Sequence, residues 1–151
     1  MSANAQPVLD IRTAHADDVD DIVALEKQAF PNPWCREFFE SELRGSGRYN
    51  LVARKYGRIA GYIFAMWFFD EMHVNKIAVE EHVRRQGIAL ELMERCLTFG
   101  REHGVRTISL EVRKSNRGAQ EFYEHLDFEA LYARPRYYPD GETAVVMVRK
   151  I

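Results

Sequence analysis

The sequence is poor in cysteine and in closely spaced metal ligands. Its two cysteines, Cys35 and Cys96, are far apart and form no CxxC pattern. Zinc knuckles, disulfide frameworks and thioredoxin-type sites need closely spaced cysteines, so the sequence argues against all three. The five histidines form no HExxH or other close ligand pair, and we expect no metal site. Cys96 lies on the apolar face of a predicted helix, which indicates a core position.

Long apolar runs are also missing. No stretch approaches the roughly 20 continuous apolar residues that a membrane-spanning helix needs. The longest run, residues 59–69, is interrupted by Gly61 and is short enough for a buried strand. The N-terminal segment MSANAQPVLD has neither a basic start nor an apolar stretch, so it predicts no secretory signal. We therefore expect a cytoplasmic protein without a membrane partner.

Charge of one sign does not dominate. The formal net charge is −2, with 29% charged and 46% hydrophobic residues, which is typical of a globular domain. Such a chain has no overall attraction to nucleic acid. Positive charge is concentrated in two short segments, Arg84 and Arg85, and Arg113, Lys114 and Arg117. The 151 residues suit one domain, and we expect a single domain over residues 1–151 with residues 1–7 as a disordered tail.

Hydrophobic periodicity predicts an alternation of strands and helices. The predicted strands are residues 8–13, 50–55, 59–69, 73–79, 107–112, 128–134 and 143–150. The predicted helices begin at Asp17 or Asp18, at Arg36, at Gly87 and at the Ser-Asn cap of residues 115–116. A long helix separates the strands that end at Val79 and begin at Thr107, so these strands should be parallel in a right-handed βαβ unit. The expected fold class is mixed α/β (α+β), with one central mixed sheet flanked by helices.

The segment IAVEEHVRRQGIALELM, residues 77–93, leads from an apolar strand through two arginines and a glycine into a helix. The first N–H groups of a helix have no partner within it, and the helix dipole is positive there. N–H groups from about Arg85 to Leu90, beside Arg84, therefore predict an anion site. The P-loop pattern GxxxxGK and the Rossmann pattern GxGxxG are both absent. The alternative is that Gly87 only eases entry into the helix and that the arginines are solvated.

With these residues in view, the chain resembles the GCN5-related N-acetyltransferases (GNAT). Their signature, Arg/Gln-x-x-Gly-x-Gly/Ala between a strand and a long helix, is matched by Arg84, Gly87 and Ala89. The segments NKIAV, LEVRKSNRGAQEFYEHLDF and RYYPDGETAVVM look like the RimI-type protein N-terminal acetyltransferases, a group that includes the ribosomal-protein-alanine enzymes. The family usually has a second glycine where this chain has Ala89, and alanine is accepted by the motif.

The resemblance implies acetyl-CoA as co-substrate. The residues it implies around the pyrophosphate are Arg84, Arg85, Gln86, Gly87, Ile88, Ala89 and Leu90. It also implies that the strand before the turn splays from the next parallel strand, so that Ile77, Ala78 and Val79 pair with the pantetheine arm. A backbone N–H near Val79 would polarise the thioester carbonyl. Asn116 matches a cofactor-contacting asparagine, and its local sequence equally suits a helix cap.

Acetyl transfer from a thioester to an amine needs a neutral amine and a proton for the leaving thiolate. Glu111 alternates with apolar neighbours on its strand and projects to one face, where it can take the ammonium proton directly or through water. The alternative is a solvated strand glutamate, and the resemblance to the RimI-type LEVRxSN glutamate favours the base.

Tyr123 is by periodicity an apolar core residue, and the resemblance makes it the acid that protonates the thiolate. Tyrosine (pKa about 10) is a weaker acid than a thiol (about 8.5), so this donation needs a local shift or a concerted transfer. No cysteine lies in a recognised nucleophile motif, so we expect direct attack in a ternary complex. The role of Cys35, beside Trp34, is left open.

The acceptor is the least determined part of the prediction. An α-amine has a pKa of about 7.7 against about 10.4 for lysine, which favours a protein or peptide N-terminus, and the resemblance suggests a ribosomal protein. The resemblance places Phe30, Tyr137 and Tyr138 beside the acceptor groove, although YYPDG is equally an ordinary turn. Acetylation of a small amine or a lysine and a noncatalytic acyl-CoA-binding module remain open, and nucleic acid is disfavoured.

Overall fold

The computed structural model describes residues 8–151, so the predicted tail at residues 1–7 lies outside the described residues. Two compact units make up the chain. The first comprises Met1–Phe64, of which residues 1–7 are not described, and Lys76–Arg95. The second comprises Ala65–Asn75 and Cys96–Ile151. The expectation of one domain over residues 1–151 stays a prediction.

Strands and helices alternate as the periodicity predicts. The strands are β1 Asp10–Thr13, β2 Arg48–Lys55, β3 Arg58–Phe68, β4 Glu71–Val79, β5 Thr107–Arg113, β6 Glu129–Arg134 and β7 Ala144–Lys150. The α-helices are α1 Val19–Ala29, α2 Arg36–Arg44, α3 Ile88–Glu102 and α4 Arg117–His125. The strands form a seven-stranded sheet in the order β1-β2-β3-β4-β5-β7-β6. β4 and β5 are parallel, which confirms the predicted mixed sheet.

In the first unit, α1 and α2 bury their apolar stripes. Ile22 and Leu25 recur at helical spacing on α1 and are buried, together with Phe39 of α2. They pack in one core cluster with side chains of β2, β3 and β4, namely Val52, Tyr62, Phe64 and Ala78. The predicted helix start is one or two residues early, because a 3-10 turn at Ala16–Asp18 precedes α1.

In the second unit, β5 is the central strand. It pairs antiparallel with β7 over its whole length, from Thr107↔Lys150 to Arg113↔Ala144. Its pairing with β4 is shorter and runs only from Glu71↔Thr107 to Val74↔Leu110. Both strands continue beyond that point, β4 to Val79 and β5 to Arg113. The parallel register given for this pair therefore covers four residues of each strand, and the predicted splay stays a prediction.

The element boundaries differ slightly from the prediction, for reasons of backbone geometry. α3 begins at Ile88 rather than Gly87, because Gly87 has a φ of +80°, which lies outside the right-handed helical region. β1 begins at Asp10 rather than Val8, which is largely exposed. Among the helices formed by residues 8–151, none has both the length and the apolar character required to span a bilayer.

Candidate active site

The predicted anion turn, residues 84–87, leaves β4 through a 3-10 turn at Glu81–Val83 and enters α3. Arg85 and Gly87 both have left-handed backbone conformations, with φ values of +65° and +80°. The Glu91 N–H of α3 donates to the Gly87 carbonyl of this turn at 3.0 Å. The N–H groups of Ile88, Ala89 and Leu90 precede it, as expected at a helix N-terminus.

Side chains around this turn are basic or amidic. Lys55 Nζ donates to Gln86 Oε1 at 2.6 Å, which ties the turn to the end of β2. The Arg84 side chain is directed back to the Val79 carbonyl, with Nε at 3.4 Å. A Cβ built on Gly87 would meet no atom within 4 Å, so the space beside this glycine is open. Such a turn fits an anionic group approaching the backbone.

The segment of β4 before the turn carries the predicted pantetheine edge, Ile77, Ala78 and Val79. Ala78 is buried, and the other two are partly exposed. Gly61 of β3 packs against this edge, and a Cβ at Gly61 would lie 2.7 Å from the Ala78 carbonyl oxygen. Only glycine allows the two backbones to approach so closely. The sequence marked Gly61 only as a break in an apolar run, so its packing role was missed.

Phe30 lies at the end of α1, against a buried charge cluster of the first unit. The carboxylate of Glu26, which is fully buried, accepts a hydrogen bond from the Trp34 N–H at 2.9 Å and pairs with Lys76 Nζ at 3.0 Å. Tyr62 donates its hydroxyl hydrogen to the same carboxylate, and burial together with this negative charge raises the pKa of Tyr62. Lys76 Nζ also lies 3.8 Å from the centre of the Phe30 ring.

In the second unit, Glu111 contacts a histidine. His73 Nε2 lies 2.6 Å from Glu111 Oε2, and His73 Nδ1 lies 2.6 Å from Asn75 Oδ1. His73 is opposite Ser109 in the parallel register, and side chains two positions apart share a face of a strand, so Glu111 is its diagonal neighbour. The side chains of His73 and Glu111 are 31% and 12% exposed, so the pair is shielded but reached by solvent.

The electrostatics of this pair favour its charged form. Burial opposes ionisation of Glu111, but the hydrogen bond and charge of His73 outweigh it, and the pKa of Glu111 is lowered. Burial likewise opposes protonation of His73, but its bonds to Glu111 and Asn75 prevail, and the pKa of His73 is raised. A carboxylate with a lowered pKa is ionised at neutral pH and is a weak base.

Tyr123 is buried on α4, where its ring lies 5.3 Å from that of Phe122 and 5.9 Å from that of Phe128. This confirms the packing expected from periodicity. Burial, with a smaller effect of Tyr138, raises the pKa of Tyr123 above its usual value of 10.0. The local shift that would make Tyr123 a stronger acid is therefore in the opposite direction, which disfavours stepwise donation of a proton from this hydroxyl.

Asn116 is the N-cap of α4, and its side chain accepts the Ala119 N–H at 3.1 Å. The cap interpretation is therefore confirmed, while a cofactor contact stays a prediction. Asn116 follows the connection from β5, in which the Ser115 N–H donates to Glu142 Oε2 at 3.2 Å. Glu142 also accepts from Arg113 at 2.9 Å, so the start of α4 is tied to the loop that contains Tyr137 and Tyr138.

This loop forms the predicted turn. The Gly141 N–H donates to the Tyr138 carbonyl at 2.8 Å across Pro139 and Asp140. The Arg113 guanidinium lies 4.1 Å from the centre of the Tyr138 ring and donates to Asp140 at 2.8 Å. Burial raises the pKa of Tyr138 to about 12, whereas Tyr137 is 45% exposed. This ordinary turn therefore keeps Tyr138 partly buried against Arg113 and leaves Tyr137 accessible to a ligand.

The sequence profile of the acetyltransferase (GNAT) family matches residues 19–128. The chain belongs to the GNAT family of acetyltransferases. It is 32% identical over 144 residues to the ribosomal protein bS18-alanine N-acetyltransferase of Escherichia coli (strain K12), with 93% of this chain and 97% of that protein covered. It is 33% identical over 154 residues to an N-alpha-acetyltransferase of Saccharolobus solfataricus, with 93% and 92% covered.

The GNAT fold is also found by structural similarity. The crystal structure of the ribosomal-protein-S18-alanine N-acetyltransferase from Escherichia coli has a TM-score of 0.88 and 31% identity, with 95% of this chain and 94% of that chain covered. The family match over residues 19–128 spans the signature turn, β5 and α4. The RimI-type resemblance drawn from short motifs is therefore confirmed over nearly the whole chain.

Several residues of this GNAT chain were not singled out by the sequence. His73, Lys76 and Glu26 meet their partners only through the tertiary fold. Cys96 is buried, and burial raises its pKa to about 12, while Cys35 is exposed at the start of α2. Across residues 8–151, no group of three or more histidine, cysteine, aspartate or glutamate side chains is arranged to hold a metal ion.

Proposed function

We propose that this GNAT protein acetylates the N-terminal α-amine of a protein, with acetyl-CoA as the donor. The observation that carries the proposal is the ionised Glu111 carboxylate, which is held on a central strand beside a histidine and stays within reach of solvent. The proposed acceptor is a cytoplasmic protein, and a ribosomal protein that begins with alanine is the first candidate. The alanine-specific activity in the name of the Escherichia coli relative supports that choice.

Acetyl-CoA fits the first unit of the chain. In the proposal, the N–H groups and side chains of Arg84, Arg85, Gln86, Gly87, Ile88, Ala89 and Leu90 hold the pyrophosphate. The open space at Gly87 and the N-terminus of α3 support this role. The edge formed by Ile77, Ala78 and Val79 pairs with the pantetheine amides. The cofactor contact of Asn116, which belongs to the second unit, stays a prediction from the sequence resemblance. When bound, acetyl-CoA supplies an acyl group on a thiolate leaving group.

The proposed chemistry assigns one proton transfer to each of two side chains. Glu111 accepts the proton of the acceptor ammonium, directly or through water, and the free amine attacks the thioester carbonyl. The N–H of Val79 stabilises the negative charge that develops on the carbonyl oxygen. Tyr123 donates its proton to the departing thiolate as the C–S bond breaks, and the second proton of the attacking nitrogen passes to Tyr123 and restores its hydroxyl. The raised pKa of Tyr123 favours a concerted transfer.

The proposed acceptor contacts are the aromatic side chains Phe30, Tyr137 and Tyr138. Tyr137 is exposed and next to the fixed Tyr138, which suits a surface that holds the first residues of a peptide. The ring of Phe30 already faces Lys76 Nζ, whose charge is balanced by Glu26. Balanced charge at this position avoids repulsion of an incoming ammonium.

The test is CoA release by the purified protein with acetyl-CoA and three classes of acceptor. The first is short peptides that begin with alanine, serine or methionine, the second is the same peptides with blocked N-termini and an internal lysine, and the third is spermidine. Turnover confined to free N-termini supports the proposal. Turnover only with lysine or spermidine assigns a different acceptor, and no turnover, together with acetyl-CoA binding, indicates a noncatalytic acyl-CoA-binding module.

A further inference from the structure

Arg134, at the end of β6, shares a face of the sheet with Glu111. Glu111 pairs with Val146 of β7, and Val146 pairs with Tyr132 of β6, so these three residues form one row across the sheet. Arg134 lies two positions beyond Tyr132 on β6, and side chains two positions apart point to the same face of a strand. The proposed base and an arginine therefore belong to one surface of the second unit.

The guanidinium of Arg134 is exposed and is held by aromatic side chains. It donates from Nη2 to the Tyr132 hydroxyl at 3.1 Å, and its central carbon lies 5.7 Å from the centres of both the Tyr132 ring and the Tyr137 ring. In the part of the chain that the structure describes, residues 8–151, Arg134 forms no ion pair with a carboxylate. A guanidinium has several N–H donors in a planar fork, so most of those of Arg134 remain available to a ligand.

Arg113 provides a contrast on the same face. It pairs with Ala144, which also pairs with Arg134, so the two arginines lie in one row. Arg113 donates to Asp140 at 2.8 Å and to Glu142 at 2.9 Å. Its charge is therefore balanced within the chain, whereas Arg134 has a neutral hydroxyl as its hydrogen-bond partner. Of the two arginines, Arg134 is the one that can bind an anionic group of a ligand.

The distance between Glu111 and Tyr132 fits a short peptide. Neighbouring strands are about 4.8 Å apart, so these two residues, two strands apart, are separated by roughly 10 Å. An extended peptide advances about 3.4 Å per residue, so a peptide with its α-amine at Glu111 places its second or third side chain near the Arg134 guanidinium. Against the effect of burial and after that of His73, the positive charge of Arg134 also lowers the pKa of Glu111, so its field reaches the base.

We propose that Arg134 selects acceptors that have an aspartate or glutamate as their second or third residue, by binding the carboxylate of that side chain. This inference rests on the proposed function, because it names the class of N-terminus that is acetylated. A planar guanidinium donates two parallel hydrogen bonds to one carboxylate, and the rings of Tyr132 and Tyr137 keep the group in place. A basic side chain at the same position is repelled. Arg134 therefore acts on affinity for the acceptor and not on the chemical step.

Peptides that differ only in charge test this selection. Each peptide begins with alanine and has glutamate, glutamine or lysine as its second residue, or the same three choices as its third. With saturating acetyl-CoA at low salt, we expect kcat/KM of the wild type to favour glutamate over glutamine by about fivefold, and glutamine over lysine by a similar factor, at one of the two positions. The preference should appear in KM with kcat unchanged, and it should weaken at high salt.

Variants of Arg134 are compared as ratios between peptides, because these ratios do not depend on the amount of active enzyme. R134Q should lose the preference, so that the three peptides of each series react within about twofold of one another. R134E should reverse the order and favour lysine. R101Q removes an exposed arginine of α3 that also belongs to the second unit, and it should keep the order of the wild type.

The outcomes separate this inference from the proposed function. A wild type that acetylates all of the peptides equally well or favours lysine, or an R134Q variant that keeps the preference for glutamate, would overturn the selection by Arg134 and leave N-terminal acetylation in place. A wild type that acetylates none of the peptides would withdraw the proposed function and this inference together.

Discussion

Glu26 and Glu111 are both shielded carboxylates with a basic partner, yet their surroundings differ. Glu26 is fully buried, its partner is a lysine, and its oxygens also accept from Trp34 and Tyr62. Glu111 is 12% exposed, and its partner is a histidine. Histidine changes its charge near neutral pH, so the second pair can exchange a proton with its surroundings. The first arrangement fixes a structure, and the second suits proton transfer.

The largest expected difference between the two carboxylates is in the free energy of unfolding. E26Q removes the negative charge that faces Lys76 in the interior, so we expect the free energy of unfolding to fall by about 3 kcal/mol. E111Q is the matched control, since His73 can become neutral when its partner does, and we expect a loss of about 1 kcal/mol or less. Urea unfolding of both variants at pH 7 measures the difference. Equal losses of unfolding free energy would mean that Glu26 and Glu111 contribute to stability in the same way.

Turnover should depend strongly on Glu111, although stability does not. E111Q keeps the shape of the side chain but removes the proton acceptor, so we expect kcat to fall by about a hundredfold at pH 7. The dissociation constant of acetyl-CoA should be unchanged, because no step of cofactor binding uses this carboxylate. CoA release and equilibrium titration with acetyl-CoA measure the two quantities. Wild-type kcat in E111Q would remove Glu111 from the mechanism.

Sequence patterns identified the parts of this molecule that depend on short spacing. The turn at Arg84 and Gly87, the outward position of Glu111 and the apolar position of Tyr123 follow from residues within one element and its neighbour. The partners of the two glutamates do not, because His73 and Glu111 are 38 positions apart and Tyr62 and Glu26 are 36 apart. Parallel pairing was predictable, but its register, which makes Glu111 the diagonal neighbour of His73, depends on how whole strands pack.

A substitution at the anion turn should affect binding rather than proton transfer. Gly87 has a φ of +80°, and a β-branched side chain is strained there by about 1–2 kcal/mol, so G87V should weaken acetyl-CoA binding about tenfold. Gly57 is a matched control, because its φ is +73° and the space around it is equally open. G57V should leave the dissociation constant unchanged. Equal weakening in both variants would show that general strain, not the turn, controls affinity.

The smallest expected effect is the pH dependence of the stability that the His73–Glu111 pair contributes. The pKa of His73 is raised by folding, so its contribution is complete below about pH 6.5 and is lost as the pH rises through the folded value. The stability of the wild type relative to H73Q should therefore decline by less than about 1 kcal/mol from pH 6 to pH 9, as solvent reaches the pair. Urea unfolding at intervals of one pH unit measures the difference. If the H73Q difference stayed flat, folding would not raise the pKa of His73, and the ion pair with Glu111 would contribute nothing to stability.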